Sequence, residues 1–216
     1  KIRNVKAKAK YRTKDGVIVP GVTTVLSVLN KPALVPWANN LGLEGIDVKK
    51  YVDKMASIGT LAHYLVECDL SGETPDLQGY SPEEVDKAEN CLISYYEWRK
   101  GKAIKPVFVE KGLVSEKHSF GGTIDYYGEV NSEISIVDFK TGKAIYPEMI
   151  IQLAAYCNLL AEHGYPVQKV RILRIGRDES EGFEEQSKTL SQLKPYWQIF
   201  QHCLKIYKLQ KAIRRD

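Results

Sequence analysis

Three short β-rich runs follow one another between residues 106 and 140: PVFVEKGLVSE, GGTIDYYGEV and EISIVDFK, separated by KHSF and by Asn131-Ser132. Segments this close leave room for hairpin turns and little else, so the spacing predicts three consecutive antiparallel strands. If Asn131 and Ser132 form a two-residue turn, Asp125 falls directly across from Asp138. Directly opposed Cβ atoms lie roughly 4.5 to 5.5 Å apart. Alternation puts Lys140 on the Asp138 face and sends Phe139 to the other. Two acids and a cation are thereby expected on one patch, where unpaired carboxylates are normally a liability.

The rest of the chain frames this hairpin. A turn is expected at Pro20-Gly21, followed by short helices broken at Pro32 and Pro36. Residues 47–70 read as helical, with Gly59 the point where the run would break or pack closely. In SPEEVDKAENCLISYYEWRK, Ser81 can cap, Pro82 suits the first turn and Glu84 completes a capping box. Beyond the hairpin, a helix runs from Pro147 to about Glu162, VQKVRILRIGR supplies a fourth strand and EGFEEQSKT a fifth. Leu193, Trp197, Phe200, Leu204 and Tyr207 then mark one face of a terminal helix. The order predicts an α/β fold, a mixed sheet flanked by helices. Residues 1–103 form its helical N-terminal part and 104–216 its core, expected as one continuous domain.

Composition narrows the class. With 216 residues, 44% of them hydrophobic, the chain can bury one substantial core. The run MIIQLAAYCNLLA is shorter than the roughly 20 residues a bilayer span needs, and Gln152 and Asn158 interrupt it. No charged-then-apolar leader opens the sequence, and Lys1 in place of a methionine is expected to reflect trimming or an artificial boundary. A net charge of +4 permits a polyanionic partner without demanding one. Cations concentrate in KIRNVKAKAKYRTK at the start and KIYKLQKAIRR at the end, runs that read as solvated faces able to touch phosphate. The four cysteines are scattered without a C-x-x-C pair, which points away from a zinc ribbon or disulfide framework.

Two close carboxylates raise one another's pKa unless a cation sits between them. Oxygen ligands without a cysteine cluster suit Mg²⁺ or Mn²⁺ better than zinc. With Lys140 beside them, the chemistry suggested is hydrolysis of a phosphodiester. The bland alternative is a surface hairpin carrying a solvated ion cluster of little energetic consequence. Elsewhere, IGTLAHYLVE sets Gly59, His63 and Glu67 on one helical face, and PEMIIQLAAYCNLLA does the same for Gln152 and Tyr156.

Taken in order, G-T-x-x-H, G-T-I-D, V-D-F-K-T-G-K and Q-L-A-A-Y resemble the PD-(D/E)XK nuclease superfamily, specifically its RecB-like exonuclease branch. The match runs from about Gly59 to Tyr156, and VPGVTTVLSVLNKPALVPWA also looks like the start of phage-type and mitochondrial single-strand exonucleases of that branch. The resemblance implies a restriction-endonuclease-like core. It makes Asp125, Asp138, His63 and the backbone carbonyl of Phe139 ligands of one or two Mg²⁺ or Mn²⁺ ions. It gives Lys140 the task of positioning or activating the attacking water, and Gln152 and Tyr156 that of contacting the DNA backbone or orienting the lysine. Glu110 matches an acidic position on the first core strand and is grouped with Gln152 and Tyr156 as substrate-binding or orienting, the alternative being an exposed strand residue. Ile124 stands where the superfamily name has Pro, and Asp138 replaces a longer Glu. The cysteines that iron–sulfur relatives carry before the histidine motif and near the C-terminus are missing, so no cluster is expected.

The function so implied is a metal-dependent DNA exonuclease acting on single-stranded or free ends in recombination, repair or replication. Its expected location is the cytoplasm of a bacterial or phage-infected cell, or a mitochondrion, with DNA and recombination or replication proteins as partners and no membrane. Trp37, Tyr64, Tyr126 and Tyr127 are candidates for stacking on bases, against the commoner reading of each as a core aromatic. The alternatives are a noncatalytic nucleic-acid-binding module on the same fold and a structure-specific endonuclease. No G-x-x-x-x-G-K-[ST] motif is present, so unwinding would have to come from a partner.

Overall fold

A computed structural model describes residues 10–214, so most of the basic N-terminal run lies outside the described residues. Strands β1 (Tyr11–Arg12) and β2 (Ile18–Val19) form a two-stranded ribbon that the sequence pattern does not announce. Helices α1 (Val22–Leu26), α2 (Leu34–Leu43), α3 (Val48–Ser71) and α4 (Pro82–Arg99) follow. Next come β3 (Ile104–Ser115), β4 (Phe120–Val130) and β5 (Glu133–Lys140), then α5 (Pro147–Glu162), β6 (Lys169–Ile175), β7 (Phe183–Thr189) and α6 (Lys194–Ile213).

Local chemistry accounts for most of these boundaries. The Ser81 hydroxyl accepts from the Glu84 N–H at 3.3 Å while the Ser81 N–H donates to the Glu84 carboxylate at 2.8 Å, the reciprocal box expected for α4. Asp47 caps α3, accepting from the Lys50 N–H at 3.1 Å, and Gly72 ends it at φ 69°. The expected break at Pro36 does not occur. Pro36 lies in the first turn of α2, where its missing N–H costs no helical bond. Gly59 does not interrupt α3 either; a Cβ there would lie 3.0 Å from the Thr141 hydroxyl, so its role is close packing.

The five core strands form one mixed sheet in the order β3-β4-β5-β6-β7. Neighbours are antiparallel except β5 and β6, which run parallel and are joined by α5 as the crossover. Asn131 and Ser132 have φ of 52° and 66°, the positive values a type I′ hairpin turn requires. The resulting register pairs Val130 with Glu133 and Tyr126 with Val137, as expected. Pro106 is tolerated because β3 is an edge strand, and the ladder slips there by one residue at Val107.

Helices cover both faces of the sheet. One core gathers α1, α5 and α6 over Phe120, Ile124, Ile136 and Ile172. The other gathers α3 and α4 over Tyr126, Val137, Phe139 and Leu173. This is the α/β architecture predicted above, consistent with a restriction-endonuclease-like core. Among the described residues no helix is long and apolar enough to cross a membrane, and all four cysteines are free thiols.

Candidate metal centre

The β4–β5 ladder ends at the Tyr126–Val137 pair, one step short of the aspartates. Beyond it the Phe139 N–H donates to the Asp125 carboxylate at 2.9 Å, a side-chain acceptor rather than a β4 carbonyl. The two strands part at this point, and the acids lie in the fork.

Asp125 meets two residues from distant parts of the chain. His63, on α3, brings Nδ1 to 3.5 Å from Asp125 Oδ2 and to 4.0 Å from Glu110 Oε1. Ligand atoms of His63, Glu110 and Asp125 all lie within 4.8 Å of one another, close enough to hold one metal ion. Glu110 occupies β3 with φ of 49°. A left-handed conformation costs a non-glycine residue roughly 1 to 3 kcal/mol, and such strain persists where the surroundings enforce it, often at functional sites.

The electrostatics of this group are frustrated. Burial pushes the Asp125 carboxyl up to about 7; nearby Asp138 and Glu110 add to the rise while His63 and Lys140 oppose it. Burial works against the His63 imidazolium, but Asp125 and Glu110 outweigh it and hold the His63 pKa above its ordinary value.

Asp138 is buried and backed by α5. Its Oδ1 accepts from the Gln152 amide at 3.2 Å, and the same amide nitrogen donates to the Tyr156 hydroxyl at 2.7 Å. Burial, then the Asp138 and Asp125 charges, hold the Tyr156 pKa well above that of a free phenol, so it stays neutral. Lys140 ion-pairs with Asp138 Oδ2. That oxygen is nevertheless fully buried without an aligned hydrogen-bond donor, which leaves it lone-pair capacity in a site rich in acids. A hard divalent cation is the group that fits such a donor set.

The diglycine before the site positions this framework. A Cβ on Gly121 would lie 2.3 Å from the Tyr11 side chain, and one on Gly122 would lie 2.6 Å from the Tyr156 ring. Tyr11, from the β1–β2 ribbon, shares a hydrogen bond of 3.0 Å with Thr123. Both line an open cleft of 430 Å³ with Thr23, His63, Glu110 and Asp125. Lys140 and Gln152 open instead on a neighbouring cavity of 690 Å³ lined also by Lys31, Tyr146 and Thr23. A larger groove of 740 Å³ between α5 and α6 is mainly apolar and lacks the acid cluster.

The expected site residues fall into two adjoining groups. His63, Asp125 and Glu110 form the tightest ligand group, and Asp138, Lys140, Gln152 and Tyr156 form a connected set beside it. Phe139 reaches Asp125 through its N–H. Of the four stacking candidates, Tyr126 and Tyr127 take the core alternative: they are buried, and their hydroxyls donate to the Glu129 and Pro166 carbonyls at 2.7 and 2.6 Å. The Tyr64 hydroxyl accepts from the Asp76 N–H, and Trp37 is half-exposed, edge-on to Tyr51. Tyr11 escapes sequence reasoning because a lone tyrosine in a basic stretch carries no signal of its own.

No protein-family model matches the sequence, and no curated protein matches it. Among solved structures, the chain is similar to a proposed exonuclease from Eubacterium rectale (12% identity, TM-score 0.46), covering 73% of this chain and 66% of that one. It is also similar to an alkaline exonuclease from Laribacter hongkongensis (13% identity, TM-score 0.35), covering 76% and 92% of the respective chains. That enzyme has also been solved in complex with dAMP.

Proposed function

We propose that this protein is a divalent-metal-dependent deoxyribonuclease that hydrolyses phosphodiester bonds, acting as an exonuclease on free or single-stranded DNA ends. The observation that carries the reading is the convergence of His63, Glu110 and Asp125 beside a buried Asp138 whose Oδ2 lacks an aligned donor. Three carboxylates against Lys140 and one histidine would repel a phosphodiester. A divalent cation held there would reverse that sign, polarise the phosphate and lower the pKa of attacking water.

In this proposal His63, Glu110, Asp125 and Asp138 supply the ligand atoms, with the Phe139 carbonyl as a further candidate. Glu110 thus moves from a substrate-orienting role to the ligand set. The Phe139 N–H fixes Asp125, and Gln152 fixes Asp138 through Oδ1, leaving Oδ2 beside Lys140. Tyr156 locks Gln152 in turn. Lys140, tethered to Asp138, holds its ammonium where it can orient the attacking water and offset charge on the phosphate. The number of ions, one or two, and the choice of Mg²⁺ or Mn²⁺ belong to the same proposal.

The test is degradation of end-labelled single- and double-stranded DNA with Mg²⁺, Mn²⁺ or EDTA, comparing wild type with Asp138→Ala and Lys140→Ala. Metal-dependent loss of DNA that both substitutions abolish is expected. Intact DNA in every lane with folded protein would instead favour a noncatalytic binding module. A closed single-stranded circle should survive; its cleavage would replace the exonuclease by an endonuclease.

A further inference from the structure

Semi-buried arginines in this fold are paired with acids, with one exception. Arg171 contacts Glu133 and Glu185, Arg174 contacts Glu184, and Arg99 contacts Asp69. Arg177, in the loop after β6, has no carboxylate within ion-pair reach of its guanidinium among the described residues. Its Nη2 donates to the Thr141 hydroxyl at 3.2 Å, its Nη1 to the Met55 sulfur at 3.0 Å, and its Nε is buried without a partner. A guanidinium carries five donors, and a thioether is a weak acceptor, so most of this group's capacity is unused.

The placement is built rather than accidental. The Arg177 N–H donates to the Glu181 carboxylate at 2.9 Å, and its carbonyl accepts from Asn90 at 3.4 Å, which ties the backbone on two sides. The guanidinium lines a cavity of 290 Å³ together with Lys87 and Lys143, which form no ion pair among the described residues. The acids of that cavity each have a partner other than the guanidinium: Glu83 pairs with Lys54, which lines the same cavity, Asp178 accepts from Ser180, and Glu181 accepts from the Arg177 backbone N–H. Thr141 directly follows Lys140 and packs over Gly59, one helical turn before His63. The unpaired cation therefore adjoins the candidate metal centre.

We infer that Arg177, with Lys143, binds a backbone phosphate of the nucleic-acid strand next to the one cleaved; this rests on the nuclease reading above. The planar fork matches two phosphate oxygens at once, which an ammonium cannot do. Thr141 orients that fork, and exposed Lys143 adds charge at the cavity mouth.

The experiment is fluorescence anisotropy of a labelled oligothymidylate in EDTA, titrated from roughly 50 to 200 mM salt, where each lost phosphate contact lowers the log–log salt slope by about 0.7 for a single strand. Wild type, Arg177→Met, Arg177→Lys and Lys143→Gln are compared, each first shown folded by circular dichroism. Arg177→Met is expected to bind several-fold more weakly with a slope lower by about 0.7, Lys143→Gln to lose a similar slope, and Arg177→Lys to keep the slope while losing affinity. A merely structural arginine would lower thermal stability and leave the slope unchanged. Wild-type slope and affinity in Arg177→Met would overturn the inference, and if that variant does not fold, a wild-type slope in Lys143→Gln would do so. Wild type that degrades DNA with Mg²⁺ alongside such a result leaves the nuclease intact and sinks only this site. Wild type that neither binds nor degrades DNA sinks both.

Discussion

Substituting Asp125 by Asn should stabilise the metal-free protein at pH 8 while abolishing its response to metal. The Asp125 carboxyl stands at about 7 against an ordinary 3.8. A tenfold change in proton affinity is worth about 1.4 kcal/mol, so keeping this group ionised in the folded, metal-free state costs on the order of 2 to 4 kcal/mol once its coupling to His63 is allowed for. Between pH 3.8 and 7 the native state holds a proton that the unfolded chain has already lost, so stability falls as pH rises through that window. His63 acts in the same direction. Its raised pKa gives stability that is complete below 6.5 and lost as pH climbs through the folded value. Glu84 and Glu185, whose pKa values are lowered, act oppositely but only below about 4.5, outside a comparison of pH 5.5 with pH 8.

The asparagine keeps an acceptor for the Phe139 N–H and removes the charge. Urea unfolding in EDTA should therefore find wild type less stable at pH 8 than at pH 5.5. Asp125→Asn should be nearly flat across that range and ahead of wild type at pH 8 by about 2 to 4 kcal/mol, roughly 5 to 15 °C in a thermal scan for a chain of this size. Millimolar Mg²⁺ or Mn²⁺ should raise the wild-type midpoint and leave the variant's unmoved. A variant no more stable than wild type at pH 8 in EDTA would refute the reasoning, because the buried acid would then be paired well enough without a metal.

Three other perturbations probe the scaffold. Gln152→Leu removes the donor to Asp138 Oδ1 and to Tyr156; the loss should be about 1 to 3 kcal/mol by urea unfolding, with a fall in kcat larger than any change in KM. Gly122→Ala places a methyl 2.6 Å from the Tyr156 ring; overpacking of about 1 to 3 kcal/mol should appear in denaturation, together with reduced nuclease activity as Tyr156 shifts. Arg171→Met strands the Glu185 carboxylate beside Trp98 and frees Glu133; a loss of roughly 2 to 4 kcal/mol is expected, the exposed side of Glu133 moderating the figure for a fully buried pair. Unchanged stability in that variant would mean the network is replaced by water at no cost.

Local signals carry the architecture a long way. Two residues able to adopt positive φ, between two alternating runs, set the hairpin register as far as the Tyr126–Val137 pair, one step short of Asp125 and Asp138. Ser81-Pro82 and Tyr146-Pro147 mark helix starts because capping and missing N–H groups are decided within a few residues. Pro36 misleads because a proline breaks a helix only past its first turn, and where that turn starts depends on Ala33 and Leu34 rather than on Pro36. Tyr126 and Tyr127 stay undecided at the level of sequence because an aromatic on a strand looks the same whether its ring meets a base or, as here, a core.

What the sequence determined by itself was therefore periodicity, turns, caps and the order of polar residues along each element, all fixed by interactions over a few positions. What only the tertiary structure decided was which of those polar residues meet. Glu110 joins His63 and Asp125 through a strained φ on an edge strand. Tyr11 lines the cleft through a ribbon docked on Gly121, and Arg177 meets Met55 of α3 and Thr141 in place of an acid. Burial raises Asp125 and leaves Asp138 Oδ2 without an aligned donor, and burial is a property of the whole packed chain: desolvation depends on every neighbour within a few ångströms, and those neighbours come from segments dozens of residues apart.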